Sequence, residues 1–126
     1  MLPKLELTRM AQALAAQAGA RMGVIAENVA NADTPGYKAR DLPDFAETYR
    51  ESMPMRATRA GHFGASERPL TPESMIVPAT GAPNGNTVSL EGEMVKAAEA
   101  RQTHEMALAI YRSTSDLVRT ALGKGR

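Results

Sequence analysis

Asn28-Val29-Ala30-Asn31-Ala32-Asp33-Thr34-Pro35-Gly36-Tyr37 closes a helical pattern and opens a turn. Asn31 is of a residue type that tolerates the left-handed backbone common at helix ends. Pro35-Gly36 fits the two central positions of a type II turn, because proline pre-sets φ at the first and glycine accepts positive φ at the second. Asn28 and Asn31 stand three apart on one helix face and are expected to aim their amides at one spot. Thr34 and Tyr37 bracket the turn. A plain helix end followed by a good turn accounts for Asn31, Pro35 and Gly36. It asks for nothing from Asn28, Thr34 or Tyr37.

Upstream, residues 4–31 read as one helix. Leu7, Ala11, Leu14 and Ala18 alternate steps of four and three, and the stripe continues through Met22, Ile25 and Val29. The join from Ala18 to Met22 repeats a step of four, a stutter that locally unwinds a left-handed supercoil. Gly19 and Gly23, with Ala15, Ala26 and Ala30, make a second stripe of small residues. It reads either as a face for a close-packed helix or as weak spots tolerated by a supported one.

Downstream, the composition changes. Seven of the eight prolines lie within residues 32–87, and such regular proline excludes a long helix and most central strands. One short helix is expected near 43–52, with Asp41 or Leu42 at its N-cap, Pro43 in its first turn, and Phe45 and Tyr49 sharing a face. The rest, 53–87, is expected to be an extended arm or a disordered linker, closed by the turn Pro83-Asn84-Gly85.

Residues 88–122 return to helix. Leu90, Met94, Ala97, Arg101, His104, Leu108, Tyr111, Ser115, Val118 and Leu122 step by four and three without a break. Thr87 or Ser89 can cap the start, Glu91 and Glu93 suit the first turn, and Gly123 stops the helix. The fold class expected is all-α: two long helices in an antiparallel, coiled-coil-like hairpin, joined by the proline-rich segment, as a single unit over 1–126. The seam is expected to use Leu14, Met22, Ile25, Val29, Leu90, Met94, Leu108, Tyr111, Val118 and Leu122.

Composition excludes several functions. The 126 residues contain no Trp, no Cys, two Phe and three Tyr, and much of the 43% apolar content is Ala and Met. Such helices bury little surface each and can complete their core against neighbouring molecules. The 15 basic and 14 acidic residues are mixed throughout, so no basic stripe invites nucleic acid. No apolar run is long enough to span a membrane, and no secretory signal pattern is visible. His62 and His104 lack the spacing of a metal site, Gly61-His62-Phe63-Gly64 lacks phosphate-binding spacing, and Asp41 with Asp44 is better read as a helix start than a catalytic pair. No cofactor, metal or catalytic residue is expected.

The string Asn28, Ala30, Asn31, Thr34, Pro35, Gly36, Tyr37 resembles, nearly letter for letter, the N-terminal signature of the bacterial flagellar rod and hook proteins. Lys38-Ala39-Arg40-Asp41-Leu42-Pro43-Asp44-Phe45 and Val88-Ser89-Leu90-Glu91-Gly92-Glu93-Met94-Val95-Lys96 are similar to the membrane-proximal rod members, with Gly92 a departure where a polar residue is usual. The resemblance covers about two-thirds of the chain, and 53–82 matches little. The distal members are longer and carry an inserted β domain, for which this chain has no room. It implies a structural, non-enzymatic rod subunit, exported unfolded through the type III channel without a cleaved signal and assembled into a periplasmic tube. Its partners would be other rod subunits, the rod-to-membrane-ring junction protein and the export gate. The rivals are another short proximal rod protein and, from a different class, a cytoplasmic helical export chaperone.

Overall fold

The computed structural model describes residues 2–52 and 72–123, without the side chains of Leu2 and Lys4. Helix α1 spans Leu2–Ala30, a two-residue strand β1 Arg40–Asp41, helix α2 Phe45–Ser52, strand β2 Met75–Ile76 and helix α3 Leu90–Ala121. At 1.5 Å per residue, α1 and α3 run for about 43 and 48 Å. They are antiparallel: Asn28 meets Glu93, Arg21 meets Glu99, and Ala18 lines a cleft with Ala100. The chain is thus the all-α hairpin its periodicity implies, with a small two-stranded ribbon added at the turn end.

The buried seam is narrower and smaller than the apolar stripes suggest. On α1 the buried residues include Ala11, Ala18, Ile25 and Asn28; on α3 they are Glu93, Ala100, Ala107 and Thr114. Relative to the stripe expected on α3, burial is shifted one residue toward the N-terminus, a rotation of about 100°. Steric size explains the shift. Alanine and threonine let two helices approach closely, whereas leucine and methionine hold them apart. On α1 the packed line runs Ala11, Leu14, Ala18, Arg21, Ile25, Asn28 in unbroken steps of three and four, so the stutter at Met22 is absent and Leu7 and Val29 are exposed. Among the described residues nothing comes within 4 Å of where a β-carbon on Gly19 or Gly23 would be, so no described helix packs against the small-residue stripe at its glycines.

Helix α2 starts at Phe45, not Pro43. The Thr48 N–H donates to the Asp44 carbonyl at 3.1 Å, which puts Asp44 at the cap position, while the Asp41 carboxylate is engaged elsewhere. Phe45 and Tyr49 stack with ring centroids 5.3 Å apart. Ser89 caps α3, its hydroxyl accepting from the Gly92 N–H at 3.3 Å. Thr87 instead accepts from the Ala39 N–H at 2.8 Å.

The last part of the proline-rich segment is not a free linker. β2 pairs antiparallel with β1, Arg40 opposite Ile76 and Asp41 opposite Met75. The loop 82–86 is closed by bonds from Gly85 N–H to the Ala82 carbonyl and from Ala82 N–H to the Asn86 carbonyl, both 2.8 Å. That is a type I turn followed by a left-handed glycine, Gly85 at φ 82°. The expectation for 53–71, including His62 and its glycine-bracketed loop, lies outside the described residues.

Candidate functional site

The signature turn forms as its sequence requires. Gly36 has φ 74°, and the Tyr37 N–H donates to the Thr34 carbonyl at 3.3 Å. These match a type II turn with Pro35 and Gly36 at its centre. Asn31 does not take the left-handed conformation, since no non-glycine residue described has positive φ. It closes the helix through its side chain, whose Nδ2 donates to the Glu27 carbonyl at 2.9 Å while its Oδ1 accepts from the Thr34 hydroxyl at 3.2 Å.

Asn28 points elsewhere and is 0% exposed. Its Nδ2 donates to the Arg40 carbonyl at 2.7 Å and to Glu93 Oε2 at 3.0 Å. Its Oδ1 accepts from the Arg40 N–H at 3.0 Å and the Tyr37 hydroxyl at 3.2 Å. Two donors and two acceptors are all an amide offers, so Asn28 is saturated. It joins α1, the post-turn segment and α3. Burial pushes the Tyr37 phenol above its usual range, helped by the nearby charge of Glu27.

A second asparagine holds the turn from the other side. Asn86, also buried, directs Nδ2 at the carbonyls of Asn31, Ala32 and Thr34, at 2.9, 2.8 and 2.9 Å. Its Oδ1 accepts from the Val88 N–H at 2.8 Å. The Gly36 N–H donates to the Asn84 carbonyl at 3.0 Å, and a β-carbon on Gly85 would lie 3.4 Å from the Gly36 Cα. The two left-handed glycines therefore pack turn against turn.

Charge completes the clamp. Arg21 grips Asp41 with two bonds, Nε to Oδ1 at 3.0 Å and Nη2 to Oδ2 at 3.1 Å. Lys96 lies 3.0 Å from Glu93 and 3.8 Å from Asp41. Burial pushes the Asp41 carboxyl up, but the Arg21 hydrogen bond, the Leu42 N–H and the charges of Arg21 and Lys96 outweigh it, leaving the group below 3.8. The bond to Asp41 raises the Arg21 pKa. Arg21 and Asn86 have no role in the sequence reading, and Glu93 has only that of a first-turn acid, which it also is. A basic residue interrupting an apolar seam at Arg21, and the Asn-Gly-Asn run at 84–86, are the signals that could have found them.

Of the residues expected in the seam, Ile25 is buried and Leu14, Met22, Leu108 and Val118 are half-buried. Val29, Leu90, Met94, Tyr111 and Leu122 are exposed, Met94 by 73%. Val95, Met106 and Leu117 are exposed as well, so α3 and its C-cap carry many bulky apolar side chains outside the hairpin seam. Arg101 is exposed too and pairs with Glu105 at 3.1 Å. Among the described residues no group of His, Cys, Asp and Glu could hold a metal, and no described helix is long and apolar enough to cross a membrane.

The described fold is a helical hairpin with a polar clamp at one end and bulky apolar side chains exposed along α3. The profile of the family described as flagella basal body rod protein matches residues 9–38, most of α1 with the signature turn. A flagellar basal body rod protein FlgB from Cereibacter sphaeroides is 35% identical over 105 residues, covering 81% of this chain and 82% of its own length. The FlgB proteins of Salmonella typhimurium and Escherichia coli are 31% and 34% identical, covering 74% and 71% of this chain and 75% and 72% of their own lengths. The chain belongs to the flagellar basal body rod proteins of the FlgB type and is a structural component of that rod.

Proposed function

We propose that the chain acts as one rod-type unit at the proximal end of the rod, in the periplasm, after type III export. There it would help form the tubular drive shaft against other rod subunits, the rod-to-membrane-ring junction protein and the export gate. The observation that carries this reading is the bulky surface of α3. Met94 is 73% exposed and Leu122 59%, while the fully buried apolar residues of the two long helices are alanines apart from Ile25. A chain that spends alanine inside and leaves methionine and leucine outside has an outer face suited to further helices. The signature residues Asn28, Ala30, Asn31, Thr34, Pro35, Gly36 and Tyr37 serve assembly by fixing the shape of the subunit that presents this face.

The test is a strain lacking the chain's own gene, complemented with a tagged copy. Swimming should return, and the tagged chain should co-purify with basal bodies. Recovery only in the cytoplasm, bound to other export cargo, would favour the chaperone reading.

A further inference from the structure

We infer that the register of the α1–α3 hairpin is set by the polar clamp around the signature turn, with Asn28, Glu93 and Asn86 as its positioning residues, and not by the helical seam. The seam repeats itself. Its buried apolar residues include Ala11, Ala18 and Ile25 on α1, with Ala13 buried off that line, and Ala100 and Ala107 on α3; Ala11, Ala18 and Ile25 are spaced by seven, as are Ala100 and Ala107. Sliding α3 by one heptad puts Ala107 where Ala100 was. Thr114 then takes the place of Ala107, a side chain only slightly larger than alanine, so burial distinguishes the two registers weakly.

The clamp does not repeat. A slide that brings Ala100 opposite Asn28 leaves the Asn28 amide facing a methyl group. It also parts Glu93 from Asn28, now 3.0 Å apart, and Lys96 from Asp41, now 3.8 Å apart. Buried polar groups without partners are heavily disfavoured. A single buried asparagine is known to select register in coiled coils. Here the selection also passes through backbone. Asn28 holds Arg40 by both its N–H and its carbonyl, and Arg21 and Gln17 tie Asp41 and Pro43 along the same face of α1. The Thr87 N–H then donates to the Tyr37 carbonyl at 3.0 Å, and Asn86 grips the turn. Where α3 begins is thereby measured from the signature segment.

The chain has no cysteine, so engineered pairs report the register. Ala18→Cys with Ala100→Cys should cross-link in the native register; Ala18→Cys with Ala107→Cys should cross-link in the slipped one. In the otherwise native chain only the first pair should react. In Asn28→Ala/Glu93→Ala/Asn86→Ala the yield should divide between the two pairs, the second rising at least five-fold. Ile25→Ala, which loosens the apolar seam and spares the clamp, should leave the second pair unreactive. A second variant, Glu93→Ala/Ala100→Glu, moves the clamp's carboxylate by one heptad and should raise the yield of the second pair at least five-fold over that in the otherwise native chain. A clampless chain that stays helical and cross-links only through the first pair overturns the inference. So does one that loses its helicity outright, because a seam that cannot hold alone offers no second register to exclude. Equal slippage in Ile25→Ala overturns it as well.

Discussion

The two ends of this hairpin are built on opposite principles. Along most of its length α1 and α3 meet through alanines repeated every seven residues, a contact that is periodic, apolar and individually weak. At the turn end they meet through asparagines, a glutamate, an arginine and a lysine, a contact that is aperiodic, polar and fully satisfied at Asn28. The first kind makes two helices lie together without saying where. The second states where, and does so through residues that packing alone would not choose. The exposed face of α3 is a third surface, bulky and apolar, that neither end consumes.

The largest effect is expected at the clamp. Asn28→Ala leaves the Glu93 carboxylate, 2% exposed, short of a donor and the Arg40 peptide unpaired on both sides. Several buried groups lose partners together, so the loss should be about 3 kcal/mol. It is read as the urea midpoint of helicity at constant slope. Ile25→Ala is the comparator from the seam and should cost the usual 2–5 kcal/mol of a buried large-to-small change, at the low end because its neighbours are small. An Asn28→Ala cost below that of an exposed control would mean the clamp is ornamental.

Next is the backbone of the turn. Gly36 sits at φ 74°, with nothing within 4 Å of where a β-carbon would project. Among the described residues strain is therefore the penalty that a side chain here meets. Gly36→Val should cost about 2 kcal/mol and Gly36→Asn nearer 1, since asparagine tolerates the left-handed region. Equal costs would show that something other than φ is at stake.

A smaller, pH-dependent effect comes from Asp41. Its folded pKa lies below 3.8, so its contribution to stability is complete above that value. It drains away as pH falls through the folded pKa. The stability gap between the native chain and Asp41→Asn should be constant near neutrality and close below pH 3.8. A gap that persists at the lowest pH would show that the charge on Asp41 is not what Arg21 reads.

How much of this the sequence discloses follows from the same contrast. Helices announce themselves by period, so α1, α3 and the hairpin are legible from Leu7 to Val29 and from Leu90 to Leu122. Period does not say which face is inside. The stripe read on α3 lies only partly inside the hairpin, with Leu108 and Val118 half-buried and Leu90, Met94, Tyr111 and Leu122 exposed, because large side chains on the contact line would hold α1 away. The turn was legible at Pro35-Gly36, where local stereochemistry decides. Asn28 was visible as a residue with no local reason to be asparagine, but its reason, Glu93, lies sixty-five positions away. Asn86 has no local signature, because its partners, the carbonyls of Asn31, Ala32 and Thr34, lie more than fifty positions away. Asp41 passed for a helix cap because its true partner, Arg21, is on another helix.

The central claim is that the clamp shapes the subunit from within while the outer face of α3 meets other subunits, and Met94→Lys tests it most directly. Met94 is 73% exposed, so the substitution should leave the stability of the chain within about 0.5 kcal/mol of native. Complemented cells should keep normal levels of the protein and export it, yet yield no intact basal bodies and fail to swim. Native swimming with a normal basal-body yield would contradict the claim.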